Sequence, residues 1–185
     1  MISREIFRAV VYNHKVMKLS GRARLPKKEL VNDINTDYVI SGRYKFKIQD
    51  PHELAKHVME DLDPDFFSRV TKGDFLVAGK NFGCGSSREQ APMAVKYAGL
   101  AAVIAKSFAR IFYRNCFNLG LLAIECNTDK ISEGDELEVD LNGGFINNKT
   151  KGVKIKIAPL PPTMQTLLSD GGLVEHFKKH GGFSI

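Results

Sequence analysis

The spacing of apolar and polar residues predicts alternating strands and helices in the central part of the chain. Uninterrupted apolar runs are typical of strands buried on both faces, and segments of helical periodicity separate them. The predicted strands are residues 74–79, 100–105 and 121–126, and the predicted helices are residues 91–97 and 108–119. Ser107 is predicted to cap the second helix. Its Ile111, Phe112 and Phe117 are expected to face the core. Because short loops join these elements, we expect two strand–helix–strand units in a parallel sheet.

The two ends of the chain carry other patterns. Residues 19–25 alternate like a strand, and residues 32–40 predict an ordered loop that returns into a short extended segment. Asp50, Pro51 and Glu53 form a strong helix start, and that helix is expected to run through Leu62. Turn signals then separate alternating strands at 136–141, 145–148 and 153–158, and two short helices follow at 163–169 and 173–180.

These elements predict an α/β fold that forms one domain over residues 1–185. Its core is a mixed or parallel sheet flanked by helices, with a small antiparallel β-layer added. The composition, 43% hydrophobic and 26% charged residues, is that of a globular protein. No apolar run approaches the roughly 18 residues of a membrane span. The N-terminal segment carries charges within its apolar stretch, so we expect no signal peptide, no membrane and a cytoplasmic location.

The net charge of +6 is spread along the chain. Aromatic residues are not interleaved with the basic ones as in RNA-binding strands, so we do not expect nucleic acid as a partner. The basic stretch 149–156 nevertheless keeps an anion- or RNA-binding module as an alternative function. Cys84, Cys116 and Cys126 are widely spaced and form no CxxC motif, which predicts that this chain holds neither zinc nor an iron–sulfur cluster.

The most informative stretch is residues 79–90, Gly-Lys-Asn-Phe-Gly-Cys-Gly-Ser-Ser-Arg-Glu-Gln, which joins a predicted strand to a predicted helix. A dinucleotide fingerprint would need glycine where Arg88 stands, and the Gly-Lys-Ser/Thr sequence of a P-loop is missing. Glycines and free helix N–H groups favour a negatively charged ligand. The stretch therefore predicts a site for a carboxylate-bearing molecule.

Spacing alone leaves two interpretations of the serines open. Ser86 with Glu89, or Ser87 with Gln90, matches a capping box, so either hydroxyl could cap the following helix. Alternatively, Arg88 grips a carboxylate with its planar fork, and a nearby hydroxyl moves a proton at the adjacent carbon. An unassisted serine is a weak base, so this second interpretation requires an electron-withdrawing group supplied from elsewhere.

The same stretch, together with residues 105–115 (Ala-Lys-Ser-Phe-Ala-Arg-Ile-Phe-Tyr-Arg-Asn), closely resembles the small subunits of 3-isopropylmalate dehydratase, a branch of the aconitase swivel-domain family. Residues 35–37 and 42–44 resemble the first motif of that family, and Asp170-Gly171-Gly172-Leu173 resembles its C-terminal signature. The resemblance covers roughly residues 19–180 and leaves residues 1–18 as an N-terminal extension.

The resemblance implies a swivelling β/β/α domain that works with a separate large subunit carrying a 4Fe–4S cluster. Such hydro-lyases remove water from 2-isopropylmalate and re-add it to give 3-isopropylmalate in leucine synthesis. At matching positions, Ser86 resembles the catalytic serine that takes the substrate's α-proton as an alkoxide. Ser87 and Arg88 resemble ligands of a substrate carboxylate.

In related small subunits, the residues after the first motif help to choose the substrate's side group. Homoaconitase-like members resemble Tyr-Leu-Arg there, whereas this chain has Tyr44, Lys45, Phe46 and Lys47, with Phe46 at the arginine position. A phenyl ring suits an apolar branch such as isopropyl, or the methyl groups of 2,3-dimethylmalate. Homoaconitate is a further alternative if Lys45 or Lys47 supplies a cation. We also expect residues 44–48 to be disordered without the partner.

Overall fold

The computed structural model describes residues 18–44 and 47–182 and contains seven strands and seven α-helices in that part of the chain. The strands are β1 (Lys18–Arg24), β2 (Phe75–Val77), β3 (Ala102–Ala105), β4 (Leu122–Glu125), β5 (Glu136–Asp140), β6 (Phe145–Asn148) and β7 (Val153–Lys156). The helices are α1 (Thr36–Val39), α2 (Pro51–Ala55), α3 (Phe66–Arg69), α4 (Gln90–Tyr97), α5 (Arg110–Asn118), α6 (Pro162–Asp170) and α7 (Leu173–His180). None of the helices described combines the length and the hydropathy that a bilayer crossing requires.

The seven strands form one mixed sheet in the order β4-β3-β2-β1-β5-β6-β7. β1 to β4 are parallel where they pair, and β5 to β7 form an antiparallel meander that joins the sheet along β1. A bridge between Cys126 and Ile157 connects the two ends of this order, so the sheet curls on itself. The predicted α/β fold class is confirmed, and the antiparallel strands continue the same sheet.

The burial of the central strands explains their apolar sequences. β2 and β3 are buried along their whole length, as expected for parallel strands covered on both faces. α4 packs between α1, α2 and α5 and turns its alanines towards the core. Outer strand β5 instead alternates buried and exposed residues, which matches its polar and apolar pattern.

Two segments near the N-terminus differ from the predictions. Residues 36–39 form the short helix α1 rather than an extended segment, because Asn35 caps it by accepting a hydrogen bond from the Tyr38 amide. Asp50 caps α2 as predicted, but α2 ends at Ala55 instead of continuing to Leu62. Met59 has a left-handed φ of 60°, and its N–H donates to Val39 O, so a tertiary hydrogen bond replaces the helical one.

Two predictions for α5 were wrong. Ser107 does not cap this helix, because the Ser107 hydroxyl oxygen instead accepts a hydrogen bond from the Asn81 amide at 2.9 Å. Ile111 is 44% exposed, whereas Phe112 and Phe117 are buried as predicted. Residue 111 faces away from the core because Phe112 and Cys116, one helical turn apart, define the buried side of α5.

The junction of α6 and α7 is held by a buried carboxylate. Asp170 is 3% exposed and lies 2.5 Å from Lys179 Nζ, 2.7 Å from His176 Nδ1 and 3.0 Å from His180 Nε2. Burial alone would raise the pKa of Asp170, but hydrogen bonds from these three partners outweigh it and lower the pKa to about 2. Asp170 therefore remains ionised in the folded protein at any pH near neutrality.

We expect Asp170→Asn to lower the free energy of unfolding at pH 7 by about 2 kcal/mol, because a pKa lowered from 3.8 to about 2 stabilises the folded state. Since the folded pKa lies below the unfolded one, this contribution is complete above about pH 5 and fades as the pH falls towards about 2. Urea unfolding of the wild type and of Asp170→Asn from pH 7 to pH 3 measures this difference in the free energy of unfolding. A difference that does not shrink on acidification would contradict this account.

Candidate functional site

The glycine loop, which we define as residues 79–89, leaves the carboxyl end of β2 and leads to α4. It is paired with the segment that follows the neighbouring parallel strand β3. Phe82 N donates to Ser107 O at 3.0 Å, and Ala109 N donates to Phe82 O at 2.9 Å. The start of α5 is thereby held beside the loop, at the sheet edge where open α/β sheets bind ligands.

A second segment, residues 31–36, runs alongside the first part of the loop. Gly79 N donates to Val31 O, Asp33 N to Lys80 O and Gly83 N to Ile34 O, each at 2.8 Å. Thr36 N donates to Cys84 O at 2.9 Å and ends this series. The backbone of residues 79–84 is thus fixed on both sides before the chain reaches the two serines.

Gly83 is required by the packing beneath the loop. Its φ is +77°, and a Cβ at this position would lie 2.2 to 2.6 Å from atoms of the buried Phe112 ring. Such distances are far below van der Waals contact, so neither the backbone conformation nor the neighbouring side chain tolerates a larger residue.

We expect Gly83→Ala to lower the free energy of unfolding by about 2–5 kcal/mol, the sum of left-handed strain and overpacking. Gly134→Ala is a matched control, because Gly134 has a φ of +79° but nothing lies within 4 Å of its Cβ position. The control isolates the backbone strain, and chemical denaturation measures both variants. Equal losses in the two variants would show that contact with Phe112 is not the cause.

Neither serine caps α4. The N-cap residue of that helix is Glu89, with no side-chain cap hydrogen bond, and both Ser86 and Ser87 are exposed. The capping interpretation is therefore wrong, because the helix begins at Gln90, three residues after Ser87. The two hydroxyl groups remain available to a ligand.

Arg88 lies beside the carboxylate of Asp37, a residue of α1. Its Nη1 lies 2.6 Å from Asp37 Oδ1, and the Arg88 side chain is 16% exposed. Gly42 lies against the same pair, since a Cβ there would be 3.2 Å from Arg88 Nη1. The contact is an ion pair without hydrogen-bond geometry, since Nη1 is buried and has no hydrogen-bond partner, and it holds the guanidinium group beside the cleft.

Ser86, Ser87 and Arg88 line one open cleft of about 510 Å³. The other lining residues are Thr36, Gly83, Gly85, Ala109, Arg110, Ile111, Phe112, Arg114 and Asn115. Arg110 and Arg114 are one helical turn apart on α5, and neither forms an ion pair with a residue among 18–44 and 47–182. Although Arg88 is paired with Asp37, the charges of Arg110 and Arg114 give the cleft a positive potential that favours anions.

The predicted specificity segment lies only partly within the described residues. Tyr44 OH donates to Glu60 Oε1 at 2.8 Å, and the Tyr44 ring stacks on His57 with centroids 3.9 Å apart. Lys47 N donates to Tyr44 O, and the Lys47 side chain is exposed. Tyr44 and Lys47 do not line the cleft. Lys45 and Phe46 are outside the described residues, so the role and the disorder expected of this segment remain predictions.

The cysteines have the properties of protonated thiols. Burial raises the pKa of Cys126 to about 12 and that of Cys116 well above its usual value. Burial, together with the nearby Asp33, also raises the pKa of Cys84. None of the three is poised as a thiolate nucleophile or ligand at neutral pH.

One group of side chains in the described part of the chain has the composition of a metal site. Asp170, His176 and His180 each offer a ligand atom within 4.8 Å of the others, and the spacing of the two histidines on α7 was overlooked in the sequence. However, Nε2 of His176 is buried without a hydrogen-bond partner. A metal on Nδ1 would force a proton onto that nitrogen, so the geometry favours Nδ1–H donating to Asp170.

Known proteins resemble this chain over most of its length. The family model described as the aconitase C-terminal domain matches residues 28–129. Small subunit 2 of 3-isopropylmalate dehydratase from Archaeoglobus fulgidus is 55% identical over 169 residues, which are 91% of this chain and 100% of that relative. The chain belongs to the family of 3-isopropylmalate dehydratase small subunits. A member from Wolinella succinogenes is 58% identical over 147 residues, covering 79% of this chain and 87% of the relative.

The fold agrees with this family. The crystal structure of a 3-isopropylmalate dehydratase from Methanocaldococcus jannaschii matches with a TM-score of 0.84 and 47% identity, over 89% of this chain and 96% of that chain. The region that matches the aconitase C-terminal domain contains the glycine loop, α1 and α5. Every element that forms the cleft of this 3-isopropylmalate dehydratase family member therefore lies within the shared domain.

Sequence patterns did not assign a role at the cleft to four residues of this family member, namely Thr36, Asp37, Arg110 and Arg114. A signal for the two arginines was present. They lie four residues apart in the segment after the predicted strand 100–105, and carboxyl ends of parallel strands meet at one sheet edge. The turn-forming composition around Thr36 and Asp37 favoured a capping role, and no local pattern linked these two residues to the serines or to Arg88.

Proposed function

We propose that this chain is the small subunit of a heteromeric cytoplasmic hydro-lyase that interconverts 2-isopropylmalate and 3-isopropylmalate in leucine biosynthesis. The observation that carries this proposal is the convergence of Ser86, Ser87 and a carboxylate-paired Arg88 in one cleft. The identity to small subunits of this dehydratase supports it.

In this proposal, Arg88 and Ser87 bind a carboxylate of the substrate. The planar guanidinium donates two parallel hydrogen bonds, and Asp37 holds it beside the cleft. Ser86, one residue before Ser87, then faces the carbon next to that carboxylate. In the dehydration step, the Ser86 oxygen acts as an alkoxide and takes the proton from this carbon. In the rehydration step, the resulting hydroxyl group returns the proton. The positive charge of Arg88, Arg110 and Arg114 stabilises the negative charge that develops.

The proposal requires a partner because the cleft of this chain supplies only part of the groups that the reaction needs. The side chains that line it, among the residues described, include no thiol, imidazole or carboxylate. This donor set does not fit an iron–sulfur cluster, which the proposal therefore assigns to a large subunit. That 4Fe–4S cluster supplies a Lewis acid for the substrate's hydroxyl group. The chain's own residues bind the carboxylate and move the proton.

The side group of the substrate is inferred from sequence. Phe46 occupies the position at which homoaconitase-like members resemble arginine, and an apolar ring matches an isopropyl branch. Related dehydratases acting on 2,3-dimethylmalate or homoaconitate differ from this proposal in that group alone.

The alternative of an RNA-binding module loses support from the ion pairs of the basic stretch. Lys149 Nζ lies 3.4 Å from Glu138 and Lys151 Nζ lies 3.3 Å from Asp135. Two of the charges that suggested this alternative are thus already paired with carboxylates of β5 and the preceding turn.

The proposal is tested by reconstituting the chain with a cluster-loaded large subunit and following the absorbance of the alkene intermediate. We expect turnover of both isopropylmalates by the mixture and by neither subunit alone. A panel with 2,3-dimethylmalate and homoaconitate separates the related substrates. Turnover of one of these without isopropylmalate would refute the substrate assignment, and activity of this chain alone would refute the need for a partner.

A further inference from the structure

Ser86 lies at the least supported point of the glycine loop. The backbone series that fixes residues 79–84 ends at Cys84, and α4 begins at Gln90. Gly85 precedes the serine with a φ of +86°, a conformation open to glycine, and both Gly85 and Ser86 are exposed. A catalytic oxygen on such a segment needs a specific support to stay in one place.

One hydrogen bond supplies that support. Thr36 Oγ1 donates to Ser86 O at 2.9 Å. Within the described part of the chain, this is the single hydrogen bond in which Ser86 or Ser87 takes part. The position of the serine therefore depends on a hydroxyl group 50 positions earlier in the sequence.

Thr36 is itself firmly held. It is 2% exposed, its N–H donates to Cys84 O at 2.9 Å, and its carbonyl accepts from Ile40 N at 3.1 Å. It is the first residue of α1, which Asn35 caps. Its β-branched side chain has few rotamers, so the hydroxyl group is directed with little freedom.

We infer that Thr36 is a positioning residue, whose hydroxyl holds the Ser86 backbone so that the Ser86 oxygen faces the substrate. This inference rests on the proposed function of Ser86. Thr36 itself takes no proton and acts through Ser86. The accepting carbonyl belongs to Ser86 itself. A small displacement of the Thr36 hydroxyl group would therefore also displace the Ser86 backbone and its side-chain oxygen.

The variants Thr36→Val and Thr36→Ser separate positioning from packing. Valine keeps the shape of the buried side chain and lacks the donor, whereas serine keeps the donor and loses a methyl group. In the reconstituted complex we expect Thr36→Val to lower kcat about 10- to 100-fold with little change in KM, since misplacing a catalytic group by about 1 Å has effects on that order. Thr36→Ser should restore most of kcat.

A comparison with Ser86→Ala tests whether the effect passes through Ser86. In that background, Thr36→Val should cause no further loss of kcat, because the residue that it positions has lost its reactive oxygen. An equal loss in both backgrounds would overturn the inference, since it would reveal a general structural role.

A measurement on the isolated chain does not depend on the substrate. ¹⁵N relaxation should give lower order parameters for Ser86 and Ser87 in Thr36→Val than in the wild type or Thr36→Ser. If the order parameters fall while the complex does not act on isopropylmalate, Thr36 does hold the Ser86 backbone, but the proposed function is wrong. If the complex is active and Thr36→Val changes neither kcat nor the order parameters, the inference is overturned and the function stands.

Discussion

Replacing Ser86 by alanine should lower the kcat of the reconstituted enzyme about 10²- to 10⁴-fold, the range that a positioned proton-transfer group contributes. The substitution removes one exposed oxygen and leaves Gly85, Ser87 and Arg88 in place. KM should change little, because the carboxylate ligands remain. Steady-state kinetics with both isopropylmalates measures the effect in each direction.

Ser68→Ala is the matched control for this variant. Ser68 is also exposed, lies on α3, and its hydroxyl donates to Asp65 O rather than lining the cleft. Its kinetics should equal those of the wild type. A Ser86→Ala enzyme with unchanged kcat would disprove the proton-transfer role, and a raised KM with normal kcat would make Ser86 a binding group instead.

Arg88→Lys should lower kcat/KM roughly 10- to 150-fold, which corresponds to about 1.5–3 kcal/mol for a hydrogen bond between charged groups. Lysine keeps the positive charge but offers a point charge in place of a planar fork, so it loses the two-point contact with the carboxylate. It also cannot reproduce the contact of Nη1 with Asp37 while reaching the ligand. Most of the effect should appear in KM, because the carboxylate is charged throughout the reaction.

Arg22→Lys provides the control for the loss of a guanidinium group. Arg22 forms an ion pair with Glu136 on the surface of β1, with a side chain that is 58% exposed. Exposed pairs of this kind contribute little, so its kinetics and stability should be close to those of the wild type. Equal kinetics for Arg88→Lys and the wild type would mean that Arg88 does not grip the substrate.

The pattern of residues predicted the central sheet well, because buried parallel strands have uninterrupted apolar sequences. β2, β3 and β4 lie inside the predicted ranges 74–79, 100–105 and 121–126. The turn signals at Gly134-Asp135 and residues 142–144 likewise marked the antiparallel strands. Two of the errors concern places where a tertiary hydrogen bond replaced a local one. Met59 N bonds to Val39 O and ends α2, and the Ser107 hydroxyl accepts from Asn81 N instead of capping α5.

The sequence by itself determined the α/β fold class and the glycine loop that carries Ser86, Ser87 and Arg88. Glycines, apolar runs and the order of side chains within a motif are local properties, so they can be read along the chain. The tertiary structure alone decided how these groups are oriented. The contacts of Asp37 with Arg88 and of Thr36 with Ser86, and the placement of Arg110 and Arg114 in the same cleft, join residues distant in sequence. Only the folded sheet brings such residues together, because local patterns do not extend over those distances.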